Sequence, residues 1–131
     1  TLGNLNADEF RKDVLLIEAC PDGKRYAAVD KQRDIHIFDG ETGETLNVNK
    51  WKYQTQTITS LKWNLSGTRL ATGSADQSVA IFTDFTNYDG NRTTIPIAGG
   101  LGVQAIEFIN DDELIVVGVD RSIRTFTLKP L

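Results

Sequence analysis

The stretch Leu70-Ala71-Thr72-Gly73-Ser74-Ala75-Asp76-Gln77-Ser78-Val79-Ala80-Ile81-Phe82 decides how this chain folds. Two short apolar runs flank a polar turn that contains Asp76, the pattern of two antiparallel strands and a tight connection. A helix would need apolar residues at three- and four-residue spacing through about ten positions. Neither this stretch nor Arg25 to Phe38, which breaks into two apolar patches around the polar run Asp30 to Asp34, offers that spacing.

Outward from this stretch the arrangement recurs at a fixed interval. Cys20-Pro21-Asp22-Gly23-Lys24-Arg25-Tyr26-Ala27-Ala28 aligns without a gap on Asn64-Leu65-Ser66-Gly67-Thr68-Arg69-Leu70-Ala71-Thr72, a shift of 44 residues with Gly on Gly and Arg on Arg. The register continues, with Ile35, Ile37 and Phe38 over Val79, Ile81 and Phe82, and then over Ile123, Thr125 and Phe126. Upstream of each turn, apolar residues step by three and then two: Val14, Ile17, Ala19; Ile58, Leu61, Trp63; Val103, Ile106, Phe108. A period in this range marks a repeat architecture. Strands are expected near Leu15–Ala19, Arg25–Val29, Ile35–Phe38 and Thr45–Val48, then Thr59–Trp63, Leu70–Gly73, Val79–Thr83 and Thr94–Ile97. The third unit supplies Gln104–Ile109, Leu114–Gly118 and Ser122–Leu128 without a fourth strand. Val14, Ile17, Leu61, Trp63, Ile106 and Phe108 are expected to face the packed interior.

A four-stranded unit of this period, with Pro21-Asp22-Gly23 or Ser66-Gly67 at its first turn, an Asp at its second and an aromatic residue closing its third strand, resembles the WD-repeat β-propeller blade. The resemblance implies an all-β fold of antiparallel four-stranded WD-like blades, three in this segment and an incomplete ring. The blades span about 14-48, 58-97 and 103-128 within one partial propeller covering residues 1-131. Rings of this kind use roughly four to eight blades, so the segment is expected to be the C-terminal part of a larger propeller, with a half-ring completed by a second chain as the alternative. No unit has the Gly-His pair common in the family, His36 lies inside a third strand, and Gln32 stands where Asp76 and Asp120 supply the turn Asp. The family's buried His-Asp network is therefore expected to be incomplete.

Composition narrows the function. With 131 residues, 14 Lys+Arg against 18 Asp+Glu and a formal charge of −4, a surface built to grip phosphate backbones or anionic lipid is disfavoured. The single cysteine forms no internal disulfide, no apolar run is long enough to span a bilayer, and no signal peptide is visible, which leads to a cytoplasmic or nuclear expectation. Catalysis needs groups of matched pKa within hydrogen-bond reach, and no such set is assembled, so no enzyme, cofactor or metal is expected. Cys20 reads as a small buried thiol, Asp111-Asp112-Glu113 as a solvated acidic tip, and Gly99-Gly100-Leu101-Gly102 as an inter-blade loop, because a strand follows it instead of a helix. Asn64-Leu65-Ser66 and Asn91-Arg92-Thr93 match the glycosylation pattern by chance.

The loops remain. The resemblance implies that connections between second and third strands, and those leading to the next blade, emerge on one face where partners dock. Arg33, Lys50, Trp51, Lys52, Tyr53 and Arg121 are the expected partner-binding residues, since Trp, Tyr and Arg dominate interface hot spots. Trp51 serves either there or in inter-blade packing. The expected function is a non-catalytic scaffold that docks other proteins within a multiprotein complex. Its alternatives are an enzyme whose catalytic residues lie in other blades, or an RNA- or phospholipid-binding propeller using Arg33, Lys50, Lys52 and Arg121 as a local basic patch.

Overall fold

The computed structural model describes residues 14–47, 54, 56–85, 91–96 and 102–130. Ten strands and no helix are present among them. The first sheet contains β1 (Val14–Ala19), β2 (Arg25–Asp30) and β3 (Ile35–Asp39). In the second are β4 (Ile58–Trp63), β5 (Leu70–Ser74), β6 (Ser78–Phe82) and β7 (Thr93–Pro96). The third holds β8 (Val103–Phe108), β9 (Glu113–Gly118) and β10 (Ile123–Thr127). Every pairing is antiparallel between sequence neighbours, so each sheet is a meander. The result is the expected all-β array of three blades, open at both ends.

Each unit's first strand has a register shift at the same place: Val14/Leu16, Ile58/Ser60 and Val103/Ala105. A bulge inserts one residue, so an apolar step of three keeps both side chains on one face where a regular strand needs two. That accounts for the recurring three-then-two spacing in the sequence.

Two apolar seams hold the blades together. In the first, Ile35 and Ile37 of the first blade meet Ile58, Leu61, Trp63 and Phe82 of the second. In the second seam, Ala71, Val79 and Ile81 meet Ile106, Phe108, Leu114 and Val116. Leu61, Trp63, Ile106 and Phe108 are buried as expected, but Val14 and Ile17 are 47% and 53% exposed. Their counterparts Ile58 and Leu61 are covered by the blade before them. Among the described residues nothing precedes the first blade on that side, so the same pattern points outward.

The fourth strand expected at Thr45–Val48 is also corrected. Thr45 makes a single bridge to Phe38, and Leu46 N donates to Ile37 O at 2.7 Å. From there Asn47 takes over with its side chain, whose Oδ1 accepts from Ile37 N at 3.0 Å and whose Nδ2 donates to Ile35 O at 2.9 Å. A carboxamide presents the donor and acceptor of a peptide group, so it replaces the ladder rung that a strand would have made. Val48 lies outside the described residues. In the second unit the fourth strand forms, with Pro96 on an outer strand where a missing N–H is tolerated. Beside β10 a cleft of about 540 Å³ opens between Ile81 and Ile95 on one wall and Phe126 and Leu128 on the other.

An arginine latches each seam. Arg25 Nη2 donates to Gly67 O at 2.7 Å, and its guanidinium lies 5.3 Å from the Trp63 ring centre and 4.6 Å from that of Phe85. Arg69, 2% exposed, donates from Nη1 to Asp111 O at 3.0 Å, pairs with Asp112 Oδ1 at 3.0 Å, and donates from Nη2 to Lys129 O. Asp111 Oδ1 also accepts from Ser66 N at 2.9 Å. Asp111 and Asp112 are thus seam partners of the preceding blade, not the solvated tip expected, because a guanidinium taken out of water requires acceptors on every side.

Candidate interaction surface

The three turns between second and third strands share one geometry. Arg33, Gln77 and Arg121, each 44 residues apart, have φ of 71°, 69° and 70°. Each amide donates three residues back: Arg33 N to Asp30 O at 3.1 Å, Gln77 N to Ser74 O at 3.2 Å, Arg121 N to Gly118 O at 3.0 Å. This left-handed region suits glycine and asparagine, and costs other residues about 1–2 kcal/mol. Long polar side chains nonetheless occupy it three times. Repeat equivalence places the three turns at corresponding ends of their blades. Arg33 also holds its Nε buried with no hydrogen-bond partner.

An aspartate organises each of these turns. Asp76 Oδ1 accepts from Ser78 N at 3.0 Å and from the Ser78 hydroxyl, and Asp120 Oδ1 accepts from Ser122 N at 3.0 Å and Ser122 Oγ at 2.6 Å. The Ser122 hydroxyl, then its amide, hold the Asp120 carboxyl below its ordinary range. In the first turn Gln32 does not take this part. Asp30, two positions earlier, accepts on Oδ1 from Gln32 N at 2.8 Å and Asp34 N at 3.0 Å, and its Oδ2 lies 3.1 Å from His36 Nε2.

Asp30, Asp34 and His36 are all buried, with one ligand atom each within 4.8 Å of the others, and are the residues among those described that could hold a divalent cation. Both Asp30 oxygens are already engaged by the turn and by His36, so the trio's visible work is to lock the connection. Cys20 is buried, and burial raises its thiol pKa, which keeps it a poor nucleophile.

Of the expected docking residues, Arg33 and Arg121 lie at equivalent turn positions, while Lys50, Trp51, Lys52 and Tyr53 fall outside the described residues. Gln54, from the same expected loop, is buried. Its Oε1 accepts from Thr72 Oγ1 at 2.8 Å and its Nε2 donates to Ser78 O at 3.0 Å. A neutral amide thereby supplies polar contacts inside the second blade without a histidine. No sequence signal marked Gln54, since glutamine is ordinarily a surface residue. The buried Asn64 side chain bonds Asp111 O at 3.2 Å and Thr68 Oγ1 at 2.9 Å, which removes it from glycosylation.

Comparison with known proteins agrees with this geometry. The family model described as WD domain, G-beta repeat, matches residues 46–83. The chain is similar to a 66 kDa stress protein of Physarum polycephalum, 32% identical over 83% of this chain and 18% of that protein. It is also similar to actin-interacting protein 1-2 of Arabidopsis thaliana, 27% identical over 94% of this chain and 20% of that one. The chain thus spans about a fifth of the length of these curated relatives. Among solved structures, Chaetomium thermophilum Sqt1 bound to the N-terminus of ribosomal protein L10 superposes with a TM-score of 0.76 at 23% identity, covering 88% of this chain and 32% of that chain. With the repeated sheets, their shared bulges and the matching relatives together, the chain belongs to the WD-repeat β-propeller family.

Proposed function

We propose that this chain is a non-catalytic scaffold that docks other proteins on its turn face within a multiprotein complex. The carrying observation is the set of three left-handed turn positions that keep Arg33, Gln77 and Arg121 where glycine would cost less. Lys50, Trp51, Lys52 and Tyr53 are proposed to add the aromatic anchor beside them. The buried thiol of Cys20 and the engagement of His36 by Asp30 support a role without catalysis. A relative named for interacting with actin and a structural neighbour bound to a ribosomal-protein terminus support a protein ligand. The open ends are proposed to be covered by further blades of the same propeller or by a second chain, and the protein to work in the cytoplasm or nucleus. No helix among the described residues is long and apolar enough to cross a membrane.

The test places a photo-crosslinking side chain at residue 33, 51 or 121 in living cells, with residue 92 as a control in the connection that leads into the fourth strand. The reading holds when one protein is captured from the turn positions, capture fails at residue 92, and Arg33→Glu with Arg121→Glu abolishes it without lowering the melting temperature. Equal capture from residue 92, or capture of RNA or lipid in place of protein, sinks it.

A further inference from the structure

The geometry points to a docking rule at the open face of the third blade: it takes a further propeller blade, and Glu113 requires that blade to carry a basic side chain on its first turn. This rests on reading the open ends as inter-blade faces.

Glu113 occupies the latch position. Cys20 N bonds Arg25 O at 2.8 Å, Asn64 N bonds Arg69 O at 3.0 Å, and Ile109 N bonds Glu113 O at 2.9 Å, so residues 25, 69 and 113 are equivalent in backbone as well as in sequence. From the first two positions an arginine reaches 42 residues forward to a turn carbonyl of the next blade, Gly67 O and then Asp111 O. At the third position the donor becomes an acceptor, whose Oε1 already takes a hydrogen bond from Asn110 Nδ2 at 3.0 Å within its own turn. A carbonyl or carboxylate facing Glu113 would repel it, whereas Lys or Arg at the place held by Thr68 and Asp112 would restore the contact with its polarity reversed.

The apolar part of the face continues the seams already described. Ile35 and Val79 are 1% and 0% exposed under the following blade, while Ile123 at the same position is 71% exposed. Ile115 and Val117 are half-buried on β9 where Ala27 and Val29 of β2 are covered. The face therefore has the shape and apolarity of an inter-blade seam and only its charge is inverted. A second copy of this chain would bring Lys24 at the required position and the exposed Val14 and Ile17, but it fits the face less well than a blade would, because Ala28, His36 and Phe38 on the same receiving face are already buried at 2%, 8% and 3%.

The experiment extends the full chain after Lys129 with a copy of its own residues 42–96. This sets the first unit's Thr45–Asn47 segment, with its single bridge and its Asn47 amide, beside the third blade and adds a whole further blade in the same register. Four versions combine Thr68 or Thr68→Lys in the copy with Glu113 or Glu113→Arg, and each is measured by urea unfolding and amide hydrogen exchange. Exchange over residues 113–127 is expected to slow in the extended chain. Thr68→Lys should lower the unfolding constant about threefold or more beside Glu113 and raise it beside Glu113→Arg. Unchanged exchange over that segment overturns both the inter-blade reading and the docking rule. Slowed exchange without the coupling leaves the inter-blade reading standing and overturns the role of Glu113. Dimerisation of the unextended chain in sedimentation, with the same segment protected, makes a second copy the occupant and also overturns it.

Discussion

The two seams solve one problem with different chemistry. At the first, Arg25 is laid against Trp63 and Phe85, donates to Gly67 O, and has the Asp22 carboxylate near enough that, after the Lys24 amide, its charge also lowers that carboxyl's pKa. At the second, Arg69 is enclosed by carbonyl and carboxylate oxygens. The difference follows from the residues opposite: Trp63 on β4 has Phe108 as its counterpart on β8, and Phe85 aligns with Lys129, which offers its carbonyl. A repeat preserves the reach of a side chain more strictly than the means by which its charge is satisfied.

Removing Arg69 should break the comparison most severely. Arg69→Ala strands the Lys129 carbonyl, leaves the Asp111 carbonyl with Asn64 Nδ2 as its donor and empties a buried site, a loss of about 2–4 kcal/mol in urea unfolding. Asp112 contributes little of this, because its side chain is 46% exposed. A loss below about 1 kcal/mol would show that the oxygen cage adds no net stability.

Next in size is Gly73→Val. A Cβ at Gly73 would clash with Val103 Cγ1 and sit 3.0 Å from Ile106 Cδ1, although the equivalent residue at the first seam is Val29, wholly buried and accommodated. Overpacking of this kind costs about 1–3 kcal/mol. A neutral result would mean that the second seam can spread to the spacing of the first.

Arg25→Lys sharpens the contrast at a smaller scale. Lysine keeps the charge but loses the planar stack on two rings, for an expected cost of about 1 kcal/mol. Combined with Trp63→Leu the effect should shrink well below the sum of the single changes, and strict additivity in the double-mutant cycle would count against ring contact as the balancing interaction.

The smallest effect concerns pH. Asp120 binds its proton less readily folded than unfolded, so the unfolded chain takes up more protons through the carboxylate range and stability falls as pH falls. Its contribution is complete above the ordinary carboxylate range and drains as pH drops through the folded value. Asp120→Ala should therefore melt lower than the parent at pH 7, with the difference closing as the pH drops through the folded value. A gap that persists unchanged in acid would assign the effect to lost packing.

Much of this was legible in the sequence because a repeat shows its strands three times. The strands lie within a residue or so of their expected limits, apart from Thr45–Val48. Faces were harder to assign. Val14 and Ile17 have the right spacing and the wrong surroundings, because burial belongs to the neighbouring blade and not to the strand. The polar substitutions were less visible still. Asn47 acting as a ladder rung and Gln54 bonding Thr72 both depend on where a side-chain amide comes to rest, and Asp30 takes over a task that alignment gave to Gln32. Arg25 and Arg69 were aligned correctly, but their bonds across the seams follow from a stacking that one repeat cannot display.

Cys20, the chain's only cysteine, lies under the first seam, where a Cβ on Gly67 would come within 2.6 Å of its sulfur. That closeness makes the thiol a clock. A disulfide reagent too large to slip between the blades reaches the sulfur only while they are apart, so at high reagent concentration the labelling rate is the opening rate of the seam itself. Measured in the Arg25 and Arg69 variants, that one reaction separates loosening of the first blade from unfolding of the whole chain, without any added chromophore.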